Sequence, residues 1–162
     1  MTTLPEFFIQ KWESELPAFG KVLRAIPGGQ LDYRPHERSA SAGGIAWQLA
    51  IEQRTLADML DRGEVQWDTR KHPDSIDDIV AEWDKATSDL RERLKGLDDA
   101  KYASAAKLMM GENGWSDSVG NMLWGFLLDM IHHRGQLSAY LRPMGGKVPA
   151  IYGPSADDAG GG

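Results

Sequence analysis

Cysteine is absent from this 162-residue chain, which excludes disulfides, thiolate metal centres and a cysteine nucleophile. Any metal must therefore use nitrogen and oxygen ligands. No basic cluster is present either: 18 Lys and Arg are scattered among 24 Asp and Glu, for a net charge of −6 and a pI near 5.2. Nucleic-acid binding rests on clustered positive charge, so this composition points away from it. No uninterrupted apolar segment reaches the length that spans a bilayer. The opening residues, Met1 to Glu6, lack both a basic stretch and an apolar leader, so a cytoplasmic protein off the membrane is expected. Alternating strand patterns are scarce.

Helical periodicity fills the remainder. Residues from Leu4 to about Ile26 place Phe7, Phe8, Trp12, Leu16, Phe19 and Leu23 at three- and four-residue steps, and Pro27-Gly28-Gly29 ends that helix. A second begins near Ser41, buries Ile45, Leu49, Leu56, Met59 and Leu60, and stops at Gly63. A third follows a Ser75/Asp78 capping pattern and runs through Ile79, Trp83 and Leu90 toward Leu97. Residues 98–116 read weakly, with Ala103 to Met110 either a short strand or an extended arm. A fourth helix, capped by Ser116 or Asp117, runs to about Met144. One domain over 1–162 is expected, all-α, an up-and-down four-helix bundle, with residues 155–162 a loose tail.

Within the fourth helix, Asp129 interrupts an apolar run from Met122 to Ile131 and is followed by His132-His133-Arg134-Gly135-Gln136. Burying a lone carboxylate costs several kcal/mol unless a partner is present. His133, at i+4, shares its face. With Asp129 as phase origin, His133, Gln136 and Tyr140 fall on the same side, with His132 at the margin. On the second helix Glu52 lies among Ile45, Leu49 and Leu56, with Gln48 at the edge. Side chains converging from facing helices are how bundles build metal sites. Such a cluster is equally a buried ion-pair network without chemistry. Gly125 and Gly135 each cost the helix about 1 kcal/mol relative to Ala. Arg134 and Arg142 read either as solvated or as anion-attracting.

Tyr33-Arg34-Pro35, Ala46-Trp47-Gln48-Leu49-Ala50, His132-His133-Arg134-Gly135-Gln136-Leu137, Tyr140-Leu141-Arg142-Pro143 and the Val148-to-Pro154 stretch resemble the DinB-like family over most of the chain. That resemblance implies a four-helix bundle, commonly dimeric, holding a divalent metal between helices, usually with three histidines. The matching positions here are Gln48, Asp129 and His133, so one histidine keeps its identity. Zinc, nickel or iron is the implied cofactor. His132, Gln136 and Tyr140 would support the ligands and Glu52 would move protons as a catalytic group, with His132 or Glu52 alternatively completing the ligand set.

Two functions follow as expectations. One is a metal-dependent transferase or hydrolase acting on a small molecule, with a low-molecular-weight thiol as cosubstrate. The other is a non-catalytic dimeric bundle whose degenerate site binds a small ligand or serves a stress-related interaction. A homodimer is expected in either case, with Trp67 or Trp115 as anchors.

Overall fold

The computed structural model describes residues 1–160. Helix α1 (Leu4–Arg24) opens with a full capping box: the Thr3 hydroxyl accepts from Glu6 N–H, and the Glu6 carboxylate accepts from Thr3 N–H at 2.8 Å. Helix α2 (Ala42–Arg62) is capped by Ser41. It ends at Gly63, whose φ of +74° lets its N–H reach Met59 O at 2.8 Å. Strand β1 (Glu64–Gln66) follows at once. Helix α3 (Ile76–Leu94) starts from Ser75, whose side chain accepts from Asp77 N–H. Then come a one-turn helix α4 (Asp99–Ala103), strands β2 (Ala105–Met110) and β3 (Asn113–Ser118), and helix α5 (Val119–Leu141), capped by Ser118.

The four long helices contact one another in a ring: α1 meets α3 and α5, and α2 meets α3 and α5. Trp12, Phe8 and Phe19 of α1 and Leu49, Leu56 and Met59 of α2 are fully buried. Trp12 donates its indole N–H to Gln53 Oε1 at 3.1 Å, joining α1 to α2 through the middle of that core. Among the described residues, no helix is long and apolar enough to cross a membrane.

The all-α expectation is corrected by a three-stranded sheet in the order β1-β2-β3. β1 runs parallel to β2, with Val65 opposite Leu108, and β2 runs antiparallel to β3, with Leu108 opposite Trp115. Three-residue β1 and Gly-, Ser- and Asp-rich β3 carry little strand pattern of their own, and β2 joins them by pairing its backbone on both sides. One consequence is a later start for α5, at Val119, since Ser116 and Asp117 are spent in the sheet.

The chain beyond α5 is also tied down as far as it is described. Asp157 Oδ2 accepts from Arg142 Nε and Val148 N–H, both at 2.9 Å, and Asp158 Oδ2 accepts from Ala150 N–H at 2.9 Å. Asp157 and Asp158 of the expected tail thus hydrogen-bond back to residues 142–150, and residues 161–162 of it lie outside the described residues.

Candidate functional site

The buried stripe of α5 passes through Leu123, Leu127, Met130, Leu137 and Leu141, all at most 1% exposed. Asp129 is one residue, about 100°, from Met130, so it leaves the core at the flank of that stripe. Its side chain is 50% exposed, and that of His133 is 17% exposed. The expected deep burial of Asp129 is therefore corrected: it stands at the open edge of the seam between α2 and α5.

Across that seam the four residues converge. The Gln48 side-chain nitrogen lies 2.7 Å from His133 Nε2, 2.9 Å from Glu52 Oε1 and 3.5 Å from Asp129 Oδ2. His133 Nε2 is 3.3 Å from Asp129 Oδ2. Three acceptors thus surround one NH₂ group. The amide presents its nitrogen, which has no lone pair for a cation, so the Gln48 expected to be a ligand stands here as the hydrogen-bond donor that gathers the others.

Behind His133, its Nδ1 lies 2.9 Å from Gln136 Oε1, and Gln136 Nε2 lies 3.0 Å from His132 Nε2. In the tautomer where Nδ1–H donates to Gln136, the lone pair on Nε2 is turned into the seam, the orientation a metal-binding imidazole needs. Gln136 thus lies between the two histidine rings. His132 is exposed and reaches the cluster only through Gln136. Tyr140 does not join: its hydroxyl goes to Ala40 O at 3.4 Å and its ring meets Tyr33 edge-on.

Glu52 is the most constrained member. It is fully buried, and Oε1 accepts from Gln48, but Oε2 has no partner. Burial pushes its pKa up to about 9 and the facing carboxylate of Asp129 adds to the shift, while the Gln48 amide pulls the other way. Ligand-capable atoms of Glu52, Asp129 and His133 all lie within 4.8 Å of one another. Tetrahedral donors bound at about 2.0–2.2 Å sit roughly 3.3–3.6 Å apart around one ion, so a modest inward movement closes the set. The orphaned Glu52 oxygen is what a cation would satisfy, and the residues fit a divalent ion. Of the two roles sequence reasoning left to Glu52, moving protons or completing the ligand set, its place within 4.8 Å of the other ligand atoms favours the second.

Aromatic walls flank the cluster. Trp67, just after β1, and Trp115, on β3, both stack with Phe126 of α5, at 6.2 and 6.4 Å between centroids with ring planes about 20° apart. A cavity of about 170 Å³ lies among Glu52, Trp67, Leu108, Trp115, Phe126 and Asp129. These walls escaped sequence reasoning because they come from the two segments with the weakest periodic signal; only the paired tryptophans hinted at them.

The family model for the DinB family matches residues 1–160. The chain belongs to the DinB family. It is 23% identical over 154 residues, covering 94% of this chain and 90% of its relative, to the uncharacterized protein YrdA of Bacillus subtilis strain 168. The fold resembles the crystal structure of a DinB-like protein from Bacillus cereus, with a TM-score of 0.75 at 20% identity, covering 90% of this chain and 95% of that one. It also resembles the DinB-like protein YjoA of Bacillus subtilis, with a TM-score of 0.68 at 18% identity, covering 85% of this chain and 91% of that one.

Proposed function

We propose that Glu52, Asp129 and His133 bind a divalent metal ion between α2 and α5 of an up-and-down four-helix bundle, and that the protein is a metal-dependent transferase or hydrolase of a small molecule. The observation that carries this is Glu52 Oε2, buried and unpartnered beside two further ligand atoms within 4.8 Å. A bound divalent ion would supply Lewis acidity, making a nucleophilic thiol or water available near neutral pH. One imidazole and two carboxylates form a harder set than three histidines, suited to iron or manganese as well as zinc.

The chain's own residues set the rest. Gln136 orients the His133 ring through Nδ1. Without an ion Gln48 donates to Glu52 and to His133 Nε2; the single lone pair of Nε2 would pass to a bound ion, leaving Gln48 its bond to Glu52 Oε1. Glu52 Oε2 is where a proton is held until a cation displaces it. Asp129, at the edge, faces arriving substrate. The absence of cysteine supports a thiol brought in as a cosubstrate. The family likeness supports a cytoplasmic homodimer, and sedimentation velocity at micromolar concentration tests the dimer.

A second reading draws on the Gln48 amide, which already satisfies acceptors of the cluster without any ion. On that reading the protein is a non-catalytic bundle with a degenerate site. Calorimetric titration of untagged protein with zinc, nickel, iron(II) and manganese separates the two. Saturable one-to-one binding that disappears in Glu52→Gln and His133→Ala supports the metal enzyme, and no binding by the parent overturns it.

A further inference from the structure

Beside the cluster, a second cavity of about 340 Å³ opens along the outer side of α5, lined by Trp115, Gly125, Phe126 and Asp129. It shares Trp115, Phe126 and Asp129 with the smaller cavity over Glu52, so the space is continuous in its lining with the candidate metal site. Trp115 is 48% exposed yet held, because its ring lies nearly parallel to that of buried Phe126. A large apolar side chain kept in place but left open to solvent on a cavity wall offers area to a ligand.

Gly125 supplies the floor. A Cβ built there meets no atom within 4 Å. Packing within the protein therefore does not require glycine at this position, although glycine weakens a helix interior. What its missing side chain leaves free is the space in front of Trp115. Charge narrows the ligand further. Among the described residues, no Lys or Arg lines either cavity, and Asp129 stands at the rim. With a divalent ion bound, the Glu52 and Asp129 carboxylates offset its charge; without one, the site is negative. In the ion-free state the pocket therefore disfavours an anion.

We propose that Trp115, Phe126, Gly125 and Asp129 form a substrate subsite for the uncharged aromatic ring of a small molecule, stacked on or beside Trp115 with its polar substituent turned toward the Glu52–Asp129–His133 cluster. This rests on the metal reading only for the direction in which the substituent points. The larger cavity, about 340 Å³, is of the size that small organic ligands occupy.

The test uses full-length protein, metal-free and zinc-loaded, with 1-naphthol and 1-naphthoate as probes of equal ring size and different charge. In the metal-free protein, where the two probes are compared, calorimetry is expected to show saturable binding of 1-naphthol and roughly tenfold weaker binding of 1-naphthoate. Gly125→Leu, a substitution favourable to helix, and Trp115→Ala each weaken 1-naphthol binding roughly tenfold while zinc affinity is unchanged. Zinc binding by the parent without 1-naphthol binding overturns the subsite and leaves the metal reading standing. The expected 1-naphthol pattern without zinc binding supports the subsite and removes the metal reading. Equal affinity for both probes, or undiminished binding in Gly125→Leu, overturns the subsite. So does a dimer that Trp115→Ala dissociates, since a second copy would then cover this face.

Discussion

Helix α5 carries two polar clusters on different sides, and they differ in completeness. Facing α1, Arg134 is 2% exposed and sits in the middle of the buried stripe. Its guanidinium donates to Glu15 Oε2 at 2.6 Å and to the Tyr152 hydroxyl, and it lies over the Phe19 and Tyr152 rings at 4.7 and 5.1 Å. Tyr152 in turn donates to Glu15 at 2.7 Å. Facing α2, Glu52 keeps an orphaned oxygen and Asp129 opens to a cavity. The first cluster is closed, with each charge answered by a partner, and serves to join helix, helix and tail. The second holds more acceptors than donors, which is the condition for taking a cation.

The largest expected effect lies on the closed side. Arg134→Ala leaves Glu15, only 17% exposed, without its partner, so stability falls by roughly 3 kcal/mol. Urea unfolding with the midpoint and slope both fitted measures it. A loss below about 1 kcal/mol would show that the pair acts as a surface pair.

On the open side the effects reverse in kind. His133→Ala is expected to cost under about 1 kcal/mol of stability but at least about a hundredfold in metal affinity, equivalent to about 2.7 kcal/mol. Calorimetry on the parent and variant checks both sides of the contrast. Unchanged metal binding in that variant would break it.

What was legible in the chain follows the same division. Caps and breakers such as Ser41 and Gly63 place the ends of α2, and helical phase brings Gln48, Glu52, Asp129 and His133 to one seam. Phase measured from Asp129, however, put the centre of α5 about 100° from its true axis, Met130 and Arg134, which is why Asp129 was expected to be buried and Arg134 was read as solvated or anion-attracting when it is buried against Glu15. The sheet was only half readable: β2 shows as an apolar stretch, whereas β3, Asn113-Gly114-Trp115-Ser116-Asp117-Ser118, has one apolar residue and is a strand because β2 pairs with it. Trp67 and Trp115 could not be placed at the site without that pairing.

A smaller effect sharpens the comparison by adding a ligand to the open side. Gln48 now brings a nitrogen without a lone pair among three acceptors. Gln48→His replaces it with imidazole, which binds zinc or nickel far better than an amide does. Affinity for zinc is expected to rise about tenfold, or about 1.4 kcal/mol. No gain in calorimetric titration would show that position 48 cannot bring a ligand to the ion.

The last prediction concerns the metal-free protein and isolates Glu52 from the ion. Its carboxyl is raised from 4.5 to about 9 by burial, with Asp129 adding and Gln48 opposing. The folded protein therefore holds a proton that the unfolded chain releases above about pH 4.5. The stabilisation from that proton is full below the unfolded value and is lost as pH rises toward and through about 9. In chelator-treated protein, stability should decline between pH 6 and 8 with a slope of order 1 kcal/mol per pH unit. Glu52→Gln preserves the acceptor for Gln48 and carries no ionisable proton, so it should flatten that slope and be the more stable protein at pH 8. Urea midpoints of the two proteins at pH 6, 7 and 8 decide the matter. Parallel profiles would mean that Glu52 ionises in the folded protein without cost, and the open side would then lack the strain that distinguishes it from the Arg134 cluster.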